Sequence, residues 1–254
     1  MKYGDKIKVF NLSASISLLF LIIVIGLNGQ SNAQALSEST VISEGNPLII
    51  NDKSNTIVII GASYVKAWPI RELGGMQVIN KGVDGEQSFE LLQRFEQDVV
   101  AINPRSVIIW GFINDIHRSP RENIDAAMAR ARQSIEEMVG LTKQHGIQPI
   151  LATEVTIRGK GDFGSRVAGW LGAIRGKMSY QEYVNGHVLE TNRWIRKYAE
   201  DHQILLLDLQ PEISDEGGFR KKEFATEDGT HISLAAYERL TTYTKAVLEA
   251  SGAR

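Results

Sequence analysis

A carboxylate and an imidazole lie three positions apart near the end of the chain, in the Asp-Gly-Thr-His sequence at residues 228–231. Much earlier, Ser63 follows a run of β-branched residues that ends at Gly61. A serine hydroxyl becomes a nucleophile when a histidine accepts its proton and a carboxylate orients that histidine. Short Asp-x-x-His matches are common by chance, but a serine, an aspartate and a histidine in this order across one domain are rarer. The pattern indicates nucleophilic catalysis by Ser63, with His231 as base and Asp228 as its partner.

Attack on an ester also requires hydrogen-bond donors that stabilise the resulting oxyanion. Ser63 stands at a predicted strand-to-helix junction, where backbone N–H groups lack intrahelical partners. Gly85 allows its own N–H to approach a ligand closely, and Asn114 carries a side-chain amide. Simpler interpretations stay open at this point: Ser63 and Asn114 as caps and Gly85 as a turn glycine. His231 is equally compatible with a surface position, with Asp228 in a turn.

Together these segments resemble the GDSL-type esterases, or SGNH hydrolases, which are named for a Ser, a Gly, an Asn and a His in four separate blocks. Residues 61–63, Gly-Ala-Ser, resemble the first block, and residues 82–85, Gly-Val-Asp-Gly, resemble the second. Asn114-Asp115 resembles the third, and residues 228–231 resemble the last. The similarity extends over about residues 56–248. No single block is specific, whereas four in order are.

The resemblance implies a flavodoxin-like sheet and a catalytic triad of Ser63, His231 and Asp228. It also implies an oxyanion hole formed by the N–H groups of Ser63 and Gly85 and by the side chain of Asn114. Asp208, which follows a predicted strand, is a competing triad acid. Asp228 is preferred because of its spacing to His231 and its match to the family.

Two positions depart from the family pattern. Ala62 precedes the serine where the family normally has aspartate, and Phe112 stands where the third block normally has glycine. Phe112 adds bulk beside the expected oxyanion hole, although neither change removes a reacting group. Four residues are candidates for contacting the substrate: Phe112, His117, Arg158 and Trp170.

Apolar strand patterns alternate with helical ones over most of the chain, which favours a parallel sheet covered by helices on both faces. The prediction is a flavodoxin-like, three-layer α/β/α fold with a mostly parallel, five-stranded sheet. The predicted strands are 56–60, 76–79, 106–110, 149–152 and 204–207, and the long helices are 124–145, 183–202 and 234–250. Apolar residues also recur at helical spacing, at positions 89, 92, 95 and 99. Because parallel strands place their carboxyl ends at one edge, Ser63, Asn114 and the chain after Thr153 should meet there.

A long irregular stretch, residues 155–179, mixes glycines with cationic and aromatic side chains. Connections of this length are usually either functional loops or solvated excursions. Its expected position above the strand ends favours a lid or substrate wall, and a solvated surface loop is an equal alternative.

The N-terminus has the features of an export signal. A basic start precedes an apolar run at 16–27, and small residues follow at 33–35. The run is shorter than the about 20 residues that a membrane-spanning helix needs. We predict a signal peptide at 1–35, cleaved rather than kept as an anchor, then a flexible lead-in at 36–55 and a hydrolase-like domain at 56–254.

Composition excludes several classes of function. The chain contains no cysteine, which rules out disulfides, a thiolate nucleophile and cysteine zinc ligands. A formal net charge of −2 gives no reason to expect nucleic acid as a partner, and the 5 histidines include no His-x-x-x-His pair that would suggest a metal site.

These observations favour a periplasmic or secreted serine esterase that acts on an acyl or acetyl ester of a carbohydrate, lipid or small alcohol, without a cofactor or metal. We expect no stable membrane span once the signal is removed. Two alternatives stay open: a periplasmic O-acyltransferase that passes the acyl group to a glycan, and a non-catalytic glycan- or lipid-binding module on a decayed hydrolase fold.

Overall fold

Six strands form a single sheet, in the spatial order β2-β3-β1-β4-β5-β6. The computed structural model of the protein describes residues 53–158 and 178–252, all of which belong to one compact unit, Ile50–Arg254. The short β2 pairs antiparallel with β3, and every other neighbouring pair is parallel. The strands are β1 (Ser54–Gly61), β2 (Glu72–Leu73), β3 (Met76–Gly82), β4 (Pro104–Trp110), β5 (Gln148–Ala152) and β6 (Leu205–Leu207).

Helices follow most strands and cover the sheet. In chain order they are α1 (Ser63–Lys66), α2 (Ser88–Gln93), α3 (Phe95–Asp98), α4 (Ile113–Arg118), α5 (Ile124–Gln144), α6 (Tyr180–Asp201), α7 (Leu209–Glu212) and α8 (Leu234–Ala250). Short 3₁₀ turns occupy Val100–Ile102, Arg121–Asn123 and Lys222–Phe224. Successive residues of a strand face opposite sides of the sheet, and residues 57–60 of β1 are all 0% exposed. The hydrophobic core therefore lies on both faces of the sheet, which gives three layers.

The predicted α/β fold is confirmed, with three local differences. All five predicted strands are present, but β2 adds a sixth that is only 2 residues long and has no apolar run to reveal it. The helical spacing at 89–99 corresponds to two short helices, α2 and α3, separated at Arg94. Helix α6 begins three residues earlier than expected because Ser179 and Glu182 form a reciprocal capping box.

Three strand ends lie level at the carboxyl edge of the sheet. In the parallel register, Gly61 of β1 is paired with Gly82 of β3 on one side and with Trp110 of β4 on the other. Both glycines are sterically required, because a Cβ at Gly61 would lie 2.0 Å from the Trp110 carbonyl oxygen and one at Gly82 would lie 2.0 Å from the Lys66 nitrogen. The chain segments that follow these three strands therefore leave the sheet side by side at its carboxyl edge.

Two asparagines of α6 hold the extended chain that follows β5. The Asn192 side chain accepts from the Glu154 N–H at 2.8 Å and donates to the Glu154 carbonyl at 2.7 Å. Two helical turns earlier, Asn185 forms the same pair of bonds with Ile157, both at 2.8 Å. These side chains bond the backbone as a neighbouring strand would, so residues 154–157 are buried although they belong to no helix or strand. Residues 155–157 are the start of the stretch predicted to be irregular.

Glu154 is a buried carboxyl beneath the carboxyl edge of the sheet. It is 1% exposed and accepts hydrogen bonds from the backbone N–H groups of Val155 (3.0 Å) and Phe112 (3.4 Å). Burial raises the pKa of Glu154 to about 7, although these backbone donors and the charge of Arg220 act in the opposite direction. The folded protein therefore favours the protonated carboxyl near neutral pH.

Residues 159–177 and 1–52 lie outside the described residues, so most of the predicted lid segment and the predicted signal peptide and lead-in stay predictions. Among residues 53–158 and 178–252, no helix is both long enough and apolar enough to cross a bilayer.

We predict that Glu154 makes the stability of the protein depend on pH. The folded state holds a proton that the unfolded chain releases between the ordinary pKa of 4.5 and the raised value of about 7, so this residue's contribution to stability falls as pH rises through that window. In urea titrations, Glu154→Gln should gain stability relative to the wild type from pH 4.5 to 7. Glu249→Gln, which changes an exposed residue, is the control. If the difference in the free energy of unfolding between the wild type and Glu154→Gln is the same at every pH in this range, the assignment is contradicted.

Candidate active site

The structure joins Asp228 and His231 directly. The Nδ1 atom of His231 lies 2.6 Å from Oδ2 of Asp228. The other carboxylate oxygen accepts from the backbone N–H groups of Thr230 (2.8 Å) and His231 (2.9 Å) and from the Thr226 hydroxyl (2.8 Å). Both side chains are about half exposed, at 49% for His231 and 43% for Asp228. The three-residue spacing thus forms one turn in which the carboxylate fixes the imidazole orientation.

Hydrogen bonding keeps Asp228 ionised. Partial burial raises the pKa of the carboxyl, but the bonds from the side chain and backbone of His231, from Thr226 and from Thr230 outweigh it, so the pKa lies well below its ordinary value. A carboxylate in this state is suited to stabilise an imidazolium on the adjacent ring.

Ser63 lies at the first position of α1, just beyond the end of β1. Its side chain is partly buried, and its hydroxyl makes no hydrogen bond to another residue in the ranges that the structure describes. The adjacent Tyr64 connects it to the histidine turn, because the Tyr64 hydroxyl donates to the Thr230 carbonyl at 2.7 Å and the Tyr64 ring meets the His231 ring edge-on at 6.2 Å. Ser63 and His231 therefore share one neighbourhood without a direct hydrogen bond, and catalytic hydrogen bonds often tighten only when substrate binds.

Gly85 occupies the loop after β3 and requires its glycine. Its φ angle of +74° is in the left-handed region that disfavours other residues. A Cβ there would also lie 2.6 Å from the Arg118 guanidinium, so this side chain covers the glycine. The N–H groups of Gly85 and Ser63 donate to no other described residue, which leaves both available to an anion.

Asn114 and Asp115 tie α4 to the loop that carries Gly85. The side-chain amide of Asn114 donates to the Glu86 carbonyl at 2.9 Å, and an amide has a second N–H for another acceptor. Asp115 accepts from the N–H (2.8 Å) and the hydroxyl (2.9 Å) of Ser88. Burial raises the pKa of Asp115 to about 6 despite these bonds. Asn114 and Asp115 therefore hold the loop that carries Gly85 against the start of α4.

Arg94 also holds the loop that carries Gly85. Its guanidinium forms an ion pair with Glu86 at 2.7 Å and another with Asp98 at 2.6 Å, and it donates to the Lys81 carbonyl at 2.8 Å. With both ends of residues 82–88 held in this way, the backbone around Gly85 has a defined position before substrate binds.

The competing acid, Asp208, is engaged elsewhere. Its carboxylate receives two hydrogen bonds from Arg196, at 2.9 and 2.8 Å, and one from the Thr153 hydroxyl at 2.9 Å. Asp228, not Asp208, contacts His231, in agreement with the preference based on spacing.

The four residues predicted to contact substrate occupy different environments. Phe112 is the N-cap residue of α4, and its side chain is 1% exposed and part of the hydrophobic core, not at the surface where it was expected to meet substrate. Burial and, as a smaller effect, the charge of His231 lower the pKa of His117, and its Nδ1 lies 2.5 Å from the Tyr180 hydroxyl. The backbone N–H of Arg158 donates to the Gly229 carbonyl at 2.8 Å. Trp170 lies outside the described residues.

Several residues that shape the site were missed by the sequence analysis. Tyr64 and Arg220 contact the histidine turn, Glu154 lies buried beneath α4, and Ser88 binds Asp115. Arg220 stands beside Lys221 and Lys222, a charged run that resembles a solvated surface, so no pattern indicated its burial. Within residues 53–158 and 178–252, no group of three or more His, Cys, Asp or Glu side chains is arranged to hold a metal ion.

Comparison with known proteins identifies the family of the chain. Residues 61–239 match the model of the GDSL-like lipase/acylhydrolase family. Among curated proteins, the uncharacterised lipoprotein YqeF of Bacillus subtilis is 26% identical over 94 residues, which cover 37% of this chain and 39% of that protein. The alignment thus spans well under half of the relative's length.

Solved structures share the fold at low sequence identity. A GDSL-like lipase from Bacteroides thetaiotaomicron superposes with a TM-score of 0.60 at 21% identity, covering 78% of this chain and 89% of that one. The lipase/acylhydrolase from Enterococcus faecalis gives a TM-score of 0.54 at 19% identity, with 77% and 96% covered. A catalytic mutant of Axe2, an acetylxylan esterase from Geobacillus stearothermophilus, gives a TM-score of 0.57 at 18% identity, with 78% and 95% covered.

The family match extends from Gly61, at the end of β1, to α8, and so includes every block of the site described above. The chain therefore belongs to the GDSL-like lipase/acylhydrolase family.

Proposed function

We propose that the protein is a serine esterase that hydrolyses an acyl or acetyl ester of a carbohydrate, lipid or small alcohol through an acyl-enzyme on Ser63. The observation that carries the proposal is the 2.6 Å contact between His231 Nδ1 and Asp228 Oδ2. It leaves the opposite ring nitrogen of His231 to act as the base toward a hydroxyl.

Each reacting group has a role that follows from its position. His231 accepts the proton of the Ser63 hydroxyl as the oxygen attacks the ester carbonyl carbon, and Asp228 stabilises the imidazolium that results. The carbonyl oxygen becomes an anion near the N–H groups of Ser63 and Gly85 and the second N–H of Asn114. His231 then returns the proton to the departing alcohol, and water repeats the sequence to release the acid.

An acetylxylan esterase is among the structural neighbours, which makes acetylated carbohydrate the first substrate class to test. The half-exposed His231 and Asp228 also leave room for a large alcohol group at the site. A panel of p-nitrophenyl esters of increasing acyl length, assayed beside acetylated xylan and acetylated glucosamine, identifies the preferred ester.

We also propose that the protein functions outside the cytoplasm. The basic and apolar pattern at residues 1–35 supports export, and the Bacillus relative is named a lipoprotein. Cell fractionation with detection of the mature N-terminus tests both export and cleavage.

Loss of the Ser63 hydroxyl should abolish turnover of p-nitrophenyl acetate without unfolding the protein, because no other described group replaces the nucleophile. Initial rates and circular dichroism of Ser63→Ala check this expectation. Ser54→Ala, at the first residue of β1, is the matched control and should keep the wild-type rate. Equal rates for Ser63→Ala and the wild type would end the esterase proposal.

Replacing Asn114 should slow the reaction by roughly 10²–10³-fold in kcat, the usual effect of losing one oxyanion donor. Asn114→Ala is compared with Asn55→Ala, which removes an exposed amide bonded to the Gly75 carbonyl. An Asn114→Ala enzyme within a factor of two of wild type would exclude this residue from the oxyanion hole.

A further inference from the structure

Arg220 is a cation buried beside the turn that carries His231. It is 1% exposed, and it forms no ion pair with a carboxylate of the described chain. Its Nε is buried without a partner in that part of the chain. A buried charge is costly unless it is paired or extensively hydrogen-bonded. An apolar side chain would fill the same space without this cost, so the contacts of the guanidinium need a separate explanation.

All hydrogen bonds of the Arg220 guanidinium go to groups around the histidine. One terminal nitrogen donates to the Thr230 carbonyl at 2.7 Å and to the His231 carbonyl at 2.8 Å. The other donates to the Tyr64 hydroxyl at 3.1 Å. The planar fork of arginine provides several donors with fixed directions. It therefore fixes the main chain that carries the imidazole relative to Tyr64.

Tyr64 completes the connection to the nucleophile. Its hydroxyl donates to the Thr230 carbonyl at 2.7 Å, and its own carbonyl accepts from the Tyr237 hydroxyl at 2.9 Å. Its ring lies 5.7 Å from the Trp110 ring in the core. Because Tyr64 directly follows Ser63 in α1, any movement of the histidine turn away from Tyr64 is also a movement away from Ser63.

We propose that Arg220 and Tyr64 are positioning residues that set the distance between Ser63 and His231. The inference rests on the proposed Ser63–His231–Asp228 mechanism. His231 and Asp228 are about half exposed, so packing alone does not hold their turn against α1. The Arg220–Tyr64–Thr230 bonds provide that restraint from the buried side. Both side chains are almost fully buried, at 4% exposed for Tyr64 and 1% for Arg220, so their loss should slow the chemical step rather than weaken binding.

Tyr64→Phe is the most direct variant, because it keeps the ring in the core and removes only the hydroxyl. Small errors in the placement of reacting groups cost up to about 10²-fold in rate, so we expect kcat to fall roughly 10-fold or more with KM changed by less than about threefold. Tyr243→Phe removes a hydroxyl bonded to the Asp208 N–H at 3.2 Å, remote from this cluster, and is the matched control. Its kcat should stay within a factor of two of wild type.

Substitutions of Arg220 test the same restraint through its other member. Arg220→Met should lower kcat by about 10²-fold. Arg220→Lys should recover part of the loss, because an ammonium keeps a donor for the carbonyls of Thr230 and His231. Equal kcat losses for Lys and Met, or losses confined to melting temperature while kcat is retained, would contradict a positioning role. If Arg220→Met does not fold, Tyr64→Phe alone decides the question.

The outcomes separate this inference from the esterase mechanism on which it rests. If Ser63→Ala retains activity, the mechanism itself fails. If Ser63→Ala is inactive while folded Tyr64→Phe and Arg220→Lys turn over at the wild-type kcat, the mechanism stands and the positioning role is wrong. In the double variant Tyr64→Phe/Arg220→Lys, a loss smaller than the product of the single losses supports one shared restraint, and a fully multiplicative loss opposes it.

Discussion

The parallel register at the carboxyl edge of the sheet is the constraint on which the site depends. Gly61, Gly82 and Trp110 end three adjacent strands at the same level, so the chain segments with Ser63, Gly85 and Asn114 leave the sheet together. Hydrophobic burial of β1 on both faces fixes this register. A shift of one residue in any of these strands would displace a donor or the nucleophile by more than 3 Å.

The acid–base pair does not arise from the sheet and needs its own support. Asp228 and His231 lie on the connection between α7 and α8, and the hydrogen bonds around Asp228 organise that turn locally. The position of this turn relative to Ser63 depends on hydrogen bonds to residues that are distant in the sequence. Tyr64 reaches the Thr230 carbonyl, and the backbone of Arg158 reaches the Gly229 carbonyl. The site thus combines a rigid sheet edge with a turn held by buried polar bonds.

Much of the fold was predictable because its signals are local. The continuous apolar runs of β1 and β4 and the helix α5, which ends at Gln144 just before Gly146, follow from periodicity and turn chemistry. Gly146 has a φ of +62°, as a glycine after a helix C-terminus often does. The pairing of Asp228 with His231 was predictable from their spacing together with the match to the last block of the family, and one turn of chain does bring both side chains together.

Long-range polar contacts escaped prediction because they have no local pattern. Nothing near Asn185 or Asn192 indicates that these helical side chains hold the backbone of residues 154–157. Phe112 was expected beside the substrate, yet its backbone takes the N-cap position of α4 and its side chain enters the core.

Covalent trapping of the nucleophile tests the central claim most directly. Intact-mass and peptide measurements on protein treated with a fluorophosphonate should find one adduct, on the peptide that contains Ser63, because only an activated serine reacts quickly with this reagent. The adduct should form far more slowly in His231→Ala. Rapid labelling of another residue, or labelling of Ser63 at an unchanged rate without His231, would contradict the account.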